Sequence, residues 1–483
     1  MIVATNKKLI KGTFFYAIRQ VLVTVIQLIS SILVLRWLEP TSYGNYSIIA
    51  LVLGLSQLIA DGGFGVYLIQ QQREILKEDL SEIVSFQFSM YLIIHLLLLC
   101  VYYYLDYSGF NSKILLYLLI TFFVIPVTIL RASNYVWLEK KLEFDKIAIV
   151  EVLETVIYSI FTLILAYKGL GVWSFVIAAL LKAIFGYILI RRDKTWEYIF
   201  IFPKLTAKIK KAIQFGISYH TPTLINYLRV AANPIIVGPI LGMAAVGIAD
   251  RAIFFAALPL YFIGAVQQKV LFPYFSTIQS SEVKIKSNFE FVYYFSSILD
   301  KIFYIPLIIL TPIIIKQFYP IWKDAIPLFY IAIIGNILFG SLSFSTFPLL
   351  NGLGKTKVIA VTSVISVIVT WVLIYPLIHY FGIIGYSILG LFIWIIGLIP
   401  GLFLIKKHIY NVSLFKQFSN PLIAFSISLM FSFFAIKFTV ISLPLYILIS
   451  ILCIIFYLLI LNFIDNKIVK ELYSKLASPF INK

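Results

Sequence analysis

Six basic side chains stand inside long apolar stretches of this sequence: Arg19, Arg131, Lys182, Arg229, Arg251 and Lys301. A charged group deep in hydrocarbon costs at least about 2.5–3.5 kcal/mol, so such groups face a wet cavity or a partner. At the helical rise, Arg19 falls roughly 10 Å from one end of its span, Lys182 and Lys301 near mid-depth, and Arg229 and Arg251 in the opposite half. If all six face one lumen they form a ladder of positive charge. Arg and Lys bind phosphate-like anions through charge-assisted hydrogen bonds, so all six are candidate binders of an anionic substrate. The plainer reading is pairing or snorkelling. Arg131, about five residues from a span end, and Lys182, on its long stem, can reach an interface.

The acids in the same stretches are fewer. Asp61, Asp250 and Asp300 are candidates for ion coupling or for pairing. Asp61 precedes Gly62-Gly63, which loosens a helix end, and pairing with Arg19 is the preferred expectation for it. Asp250 beside Arg251, and Asp300 beside Lys301, project about 100° apart on a helix, so neither neighbouring pair is expected to meet. Glu151 and Glu154, one turn apart, read as solvated at an interface.

No catalytic residue and no metal site is expected. His95, His220, His379 and His408 share no ligand spacing. Asn351-Gly-Leu-Gly-Lys355 lacks the P-loop spacing and reads as a tight turn. No cofactor is expected either. Without an ATP site the chain reads as a secondary carrier, driven by a proton or sodium gradient. Tyr16, Tyr219 and Tyr227 could stack on sugar rings.

The elements that hold these residues follow from composition. Of 483 residues 61% are hydrophobic and only 12% charged, about half the charge of a soluble domain. Lipid must therefore be the solvent for most of the surface, and runs of about twenty apolar residues select helices over a barrel. Fourteen spans are expected, near 13–36, 44–69, 83–105, 113–136, 148–167, 170–190, 212–238, 243–268, 290–315, 325–350, 358–378, 382–405, 421–441 and 444–463. The fold class is all-α, polytopic, with two six-helix lobes around a central cavity and two C-terminal helices. The corresponding segments are 1–200, 201–410 and 411–483.

The net charge of +18 does not point to nucleic acid, because Lys and Arg cluster between spans. With the N-terminus inside, 27 basic residues fall in inside segments against about 6 outside, which predicts that both termini are cytoplasmic. The longest connection, Arg191 to Lys211, is basic and cytoplasmic on this reading. Outside loops are too short for an external catalytic domain. Cys100 and Cys453 both lie in apolar spans and suggest no disulfide. The polar start, Met1 to Lys11, runs into an apolar span with no cleavage site and reads as a retained first helix. Leu38 to Gly44 and Leu241 to Gly247 share an L-x5-G turn, and Gly169-Leu-Gly171 is paralleled by Gly382-Ile-Ile-Gly385. Such parallel turns suggest repeats related by an axis along the membrane normal.

The chain resembles bacterial lipid-linked oligosaccharide flippases, the polysaccharide transporter branch of the multidrug/oligosaccharidyl-lipid/polysaccharide exporter superfamily. The resemblance is carried by Arg19, by Leu38-Glu-Pro-Thr-Ser-Tyr-Gly-Asn-Tyr46 and by Ala60-Asp-Gly-Gly-Phe-Gly65. Ile236-Val-Gly-Pro-Ile-Leu-Gly-Met-Ala-Ala-Val-Gly247 followed by Arg251 and Leu258-Pro259, with Phe272-Pro273 and the Asn351–Lys355 turn, carries it in the second half. One departure is Asn233-Pro234, where the family often has an acid, which puts ion coupling there in doubt.

The resemblance implies movement of an isoprenoid (undecaprenyl) diphosphate-linked oligosaccharide from the cytoplasmic to the outer leaflet by alternating access. The implied process is O-antigen or other cell-surface polysaccharide biosynthesis. It implies residence in the cytoplasmic (inner) membrane among its lipids, beside a glycan polymerase and chain-length machinery, with no nucleic-acid partner. The alternatives are a multidrug exporter of the same superfamily, whose cationic drugs a lumen of Arg and Lys would repel, and a membrane glycan polymerase or ligase.

Overall fold

The computed structural model describes residues 2–71, 73, 75–107, 113–191, 206–408, 414–437 and 442–466. Much of the basic connection read over 191–211, including Arg192, Lys194 and Lys204, and the tail from Lys467 onward lie outside the described residues. Every element among those described is a helix, as hydrocarbon solvation requires. Twelve helical segments are long and apolar enough to cross a membrane, and Ile18–Val34 and Ile384–Leu398 are shorter apolar helices. Together they account for the fourteen expected spans. The protein is a multi-pass membrane protein.

The chain forms two compact units. The first comprises Met1–Pro234 with Gly242–Gly247, the second Ile235–Leu241 with Ile248–Lys483.

In the first unit α1 (Ile2–Val34) leads to α2 (Pro40–Asp61), which starts on Pro40 with extended Glu39 ahead of it. Proline suits that position because its missing N–H is an orphan in any helix. At its other end Gly62 takes φ 56°, its N–H closing on the Leu58 carbonyl at 3.1 Å, and Gly63 follows at φ 73°. Two successive left-handed residues stop the helix outright, which only glycines do cheaply. The short α3 (Phe64–Gln70) follows, then α4 (Lys77–Tyr107), α5 (Lys113–Thr121), α6 (Val124–Lys140), α7 (Phe144–Tyr167), α8 (Trp173–Arg191) and α9 (Ala207–Ala232). Helix α7 packs on both α1 and α8, and α9 packs on α2 and α3. An apolar cluster of Phe64, Leu68, Leu80, Val136, Ile209 and Ala212 ties the start of α9 into this unit.

A π-helical turn at Asn233–Val237 carries the chain from α9 into α10 (Gly238–Leu241). Helix α11 (Met243–Thr277) and α12 (Glu282–Phe318) follow, the first carrying Pro259 and Pro273, the second Pro306 and Pro312. Then come α13 (Ala325–Gly335), a second π-turn at Asn336–Gly340, α14 (Ser341–Gly352), α15 (Thr356–Phe381), α16 (Ile384–His408), α17 (Leu414–Lys437) and α18 (Leu443–Ile464). Helix α12 packs against α14, α17 and α18.

Candidate functional site

The first unit gathers five ionisable side chains from four helices. Arg19 of α1 forms an ion pair with Glu151 of α7, and Arg131 of α6 forms one with Glu154 a turn further along α7. Lys182 of α8 places its ammonium 5.8 Å from the ring centroid of Tyr158, whose hydroxyl meets that of Tyr46 at 3.2 Å. Arg131 also stacks its guanidinium 5.1 Å from the Tyr135 ring. Space for Glu154 comes from Gly186 on α8, where a Cβ would run into the carboxylate.

Three cations stand in this cluster with Glu151 and Glu154, and a third carboxylate, Glu139 of α6, lies near enough to Glu151 to interact with it. Its groups differ in access: Glu154 is only 3% exposed, whereas the Arg19 and Glu151 side chains keep 17% and 25%. An arginine that already holds a carboxylate in a low-dielectric setting can exchange it for another anion of similar geometry, because both make paired N–H···O contacts.

Two expectations are corrected here. Asp61 does not take Arg19: Glu151 does, and Asp61 accepts instead from the Gly63 N–H and pairs with His220 Nε2, both at 3.2 Å. Glu151 and Glu154 are not solvated interfacial acids but the arginines' partners. Depth along a helix fixes which residues are at one level, whereas the neighbour across the interface depends on helix order and rotation.

The second unit holds a different arrangement. Asp300 and Lys301 of α12 are both 0% exposed and pair directly, Nζ to Oδ1 at 3.0 Å. This overturns the expectation that adjacent residues point apart. The Cβ vectors do diverge, but the four-carbon lysine stem is long and flexible enough to fold back along the helix. There it also donates to Ser297, one turn earlier, at 3.0 Å, while the Ser341 hydroxyl donates to Asp300 Oδ2. Other buried polar groups of this unit also bond to one another, although the Gln267 Oε1 has no partner. Gln267 donates to Ser296 and Ser345, and both Tyr304 and Asn336 donate to the Ala256 carbonyl. Lys301 is thus wholly enclosed by its own unit.

The remaining candidates are dispersed. Arg229 donates to Asn226 at 3.0 Å on a side of α9 that also exposes Gln214, Ser218 and Thr221. Arg251 lies 4.9 Å from the Phe254 ring centroid, with Asp250 preceding it in α11. Tyr219 is exposed and stacked on Phe215, whereas Tyr227 sits where a Cβ on Gly54 of α2 would be. The side chain of Tyr16 lies outside the described residues. His95 packs among Tyr91, Phe122 and Phe123, and His379 beside Tyr375 and Tyr380. No set of three or more metal-binding side chains comes together among the described residues. The residue that sequence reading passed over is His220. Its signal was a polar helix face, with Ser218 and Thr221 beside it, inside an otherwise apolar span.

The profile described as polysaccharide biosynthesis protein matches residues 33–327, more than half of the chain. The chain belongs to this family. It is 22% identical to the lipopolysaccharide biosynthesis protein WzxC of Escherichia coli (strain K12), over 69% of its own length and 68% of that protein's. It is 23% identical to the teichuronic acid biosynthesis protein TuaB of Bacillus subtilis (strain 168), over 59% of each chain. In fold, the family member superposes on the lipid II flippase MurJ in an inward closed conformation. That match has a TM-score of 0.69 at 17% identity and covers 93% of this chain and 100% of the other.

Proposed function

We propose that this protein moves an isoprenoid (undecaprenyl) diphosphate-linked oligosaccharide repeat unit from the cytoplasmic to the outer leaflet of the cell membrane by alternating access. It would do so as a carrier and not as an enzyme, in cell-surface polysaccharide biosynthesis. The observation that carries the reading is the gathering of Arg19, Arg131 and Lys182 in one cluster, partly accessible inside a membrane unit. A diphosphate head group cannot cross hydrocarbon unaided, since burying an uncompensated charge is prohibitive. The apolar tail needs no path, because lipid already solvates it. Membership in the polysaccharide biosynthesis family and the names of the two relatives support a glycan cargo.

On this reading the protein sits in the cytoplasmic (inner) membrane with both termini in the cytoplasm, as the distribution of Lys and Arg favours. A proton or sodium gradient drives the cycle, and a glycan polymerase with its chain-length machinery consumes the product. Exporting cationic drugs, the multidrug alternative, fits an electropositive interior poorly.

The test is surface glycan display in cells carrying variants that still reach the membrane. Arg19→Ala and Arg229→Ala are expected to abolish display and leave lipid-linked units on the cytoplasmic leaflet. Because Arg19→Ala strands Glu151, the paired variant Arg19→Ala/Glu151→Ala removes both charges. Full display in that double variant and in Arg229→Ala would sink the assignment of these arginines. Short but displayed chains on deletion of the gene would point to a polymerase instead.

A further inference from the structure

Helix α6 carries Arg131, Tyr135 and Glu139 at spacings of four, which sets an arginine, a phenol and a carboxylate in a row along one side of the helix. Each step is about 6 Å of rise. Arg131 belongs to the ion-pair cluster through Glu154, and its guanidinium lies 5.1 Å from the Tyr135 ring. Past the arginine, Tyr135 and Glu139 line a cavity of about 150 Å³. At roughly 30 Å³ per water that is the space of about five waters, enough for one small ring and too little for two. Asp61 at the end of α2 and Gln87 of α4 supply further polar walls, and Ile83 and Val84 of α4 an apolar one.

This lining holds hydrogen-bonding capacity that the protein itself leaves unused. The Tyr135 hydroxyl is shut off from solvent and has no partner, an exception among buried polar atoms that a ligand or water would explain. Glu139 has no ion-pair partner among the described residues, and the charge that bears on it is the like charge of Glu151. The Oδ2 of Asp61 meets the Gly63 N–H and His220, while its Oδ1 takes no hydrogen bond from a described residue. Gln87 is held in place by its 3.2 Å bond to the Asp61 carbonyl.

Two carboxylates repel a phosphate, so the anion and this cavity do not suit each other. Hydroxyl groups do suit it, because they donate to carboxylates in charge-assisted bonds and accept from a phenol. The C–H face of a ring would lie on Ile83 and Val84. No set of three or more metal-binding side chains comes together among the described residues.

We propose that this cavity is a sugar subsite, taking the monosaccharide joined directly to the diphosphate while the phosphates lie at Arg131. The inference rests on the carrier reading and adds to it a place for the glycan. The α6 row then meets the head group in chemical order: guanidinium to phosphate, then phenol and carboxylate to the hydroxyls of the first ring.

Binding to the detergent-purified full chain separates the two parts of the head group. The probes are farnesyl diphosphate alone and farnesyl diphosphate carrying glucose, galactose, mannose, N-acetylglucosamine or glucosamine on its terminal phosphate. The quantity read is the Kd of the bare probe divided by that of the tightest sugar probe, taken within each protein so that a change common to both cancels. In the unmodified protein this ratio is expected to be about ten or more, the worth of one hydrogen bond to a charged group. Tyr135→Phe removes a hydroxyl that no protein group holds, and Glu139→Gln keeps the shape of its side chain, so both should fold. Each should lower the ratio severalfold. A ratio of one in the unmodified protein, or an unchanged ratio in either variant, would overturn the proposal. So would tightening confined to the glucosamine probe, which would mark a site for an ammonium group. If no probe binds, the diphosphate carrier fails and the subsite with it, whereas a bare probe that binds without any gain from sugar removes the subsite alone.

Discussion

The two units treat buried charge in opposite ways. In the second unit one acid and one lysine, adjacent on α12, are sealed from all solvent. Ser297 and Ser341 add one hydrogen bond each, and the net charge of the pair is zero. In the first unit the charges come from four helices, and the arginine–glutamate pair of α1 and α7 stays partly open. A closed, neutral pair on one helix has nothing left to offer a ligand and serves as a polar rivet between α12 and α14. A set spread over several helices and partly open to solvent holds arginines that an anion can reach. Counting intramembrane cations therefore overstates the number available to a substrate, and what separates them is access.

The comparison breaks most sharply at Asp300. Removing one member of a buried pair strands the other, at a cost of about 3–5 kcal/mol. Asp300→Ala is expected to lower the melting temperature of the detergent-purified protein more than any other variant considered, and to reduce its amount in the membrane. The decisive companion is Asp300→Asn/Lys301→Met, which removes both charges and keeps an acceptor for Ser341. A rivet predicts recovered stability and normal glycan display in the double variant. If stability recovers and display does not, Lys301 takes part in transport in a conformation where it is uncovered.

At the other cluster the effects should be smaller. Glu154→Gln leaves Arg131 a neutral partner in place of a carboxylate, and a loss of about 1–3 kcal/mol is expected by thermal unfolding. Gly186→Ala perturbs the same carboxylate from the opposite side by filling its space, with an overpacking cost of about 1–3 kcal/mol. Because both act on the Arg131–Glu154 pair, their effects should be less than additive in the double variant, and full additivity would separate Gly186 from the pair.

How much of this was legible beforehand follows from what a single sequence encodes. The spans were, because an apolar run of about twenty residues has one solution in lipid. So were the turns at Gly169-Leu-Gly171, Gly242 and Gly382, all of which adopt positive φ. The charged residues were visible as a set, and Glu151 and Glu154 were seen to be one turn apart on one helix. Their partners were not, because Arg19 lies far away in sequence and nothing in a hydropathy pattern says that α1 packs on α7. Asp300 and Lys301 failed for another reason. Side-chain direction was judged from the Cβ alone, and a lysine reaches well beyond its Cβ.

The finest test of the contrast is Arg229, for which stability and function should separate. Its hydrogen bond goes to Asn226 on the exposed side of α9, so no carboxylate is stranded when it is removed. Arg229→Ala is accordingly expected to change the unfolding free energy by less than about 0.5 kcal/mol, the range of ordinary surface substitutions. A structural arginine of so little consequence would leave glycan display untouched. An arginine kept for a ligand would cost nothing in the fold and nearly everything in export. Arg229→Lys separates charge from shape: a compact ammonium preserves attraction for an anion but loses the planar fork that grips two oxygens together. Partial display with lysine and none with alanine would place a diphosphate-like anion against this side chain. Equal display in all three proteins would remove Arg229 from the path.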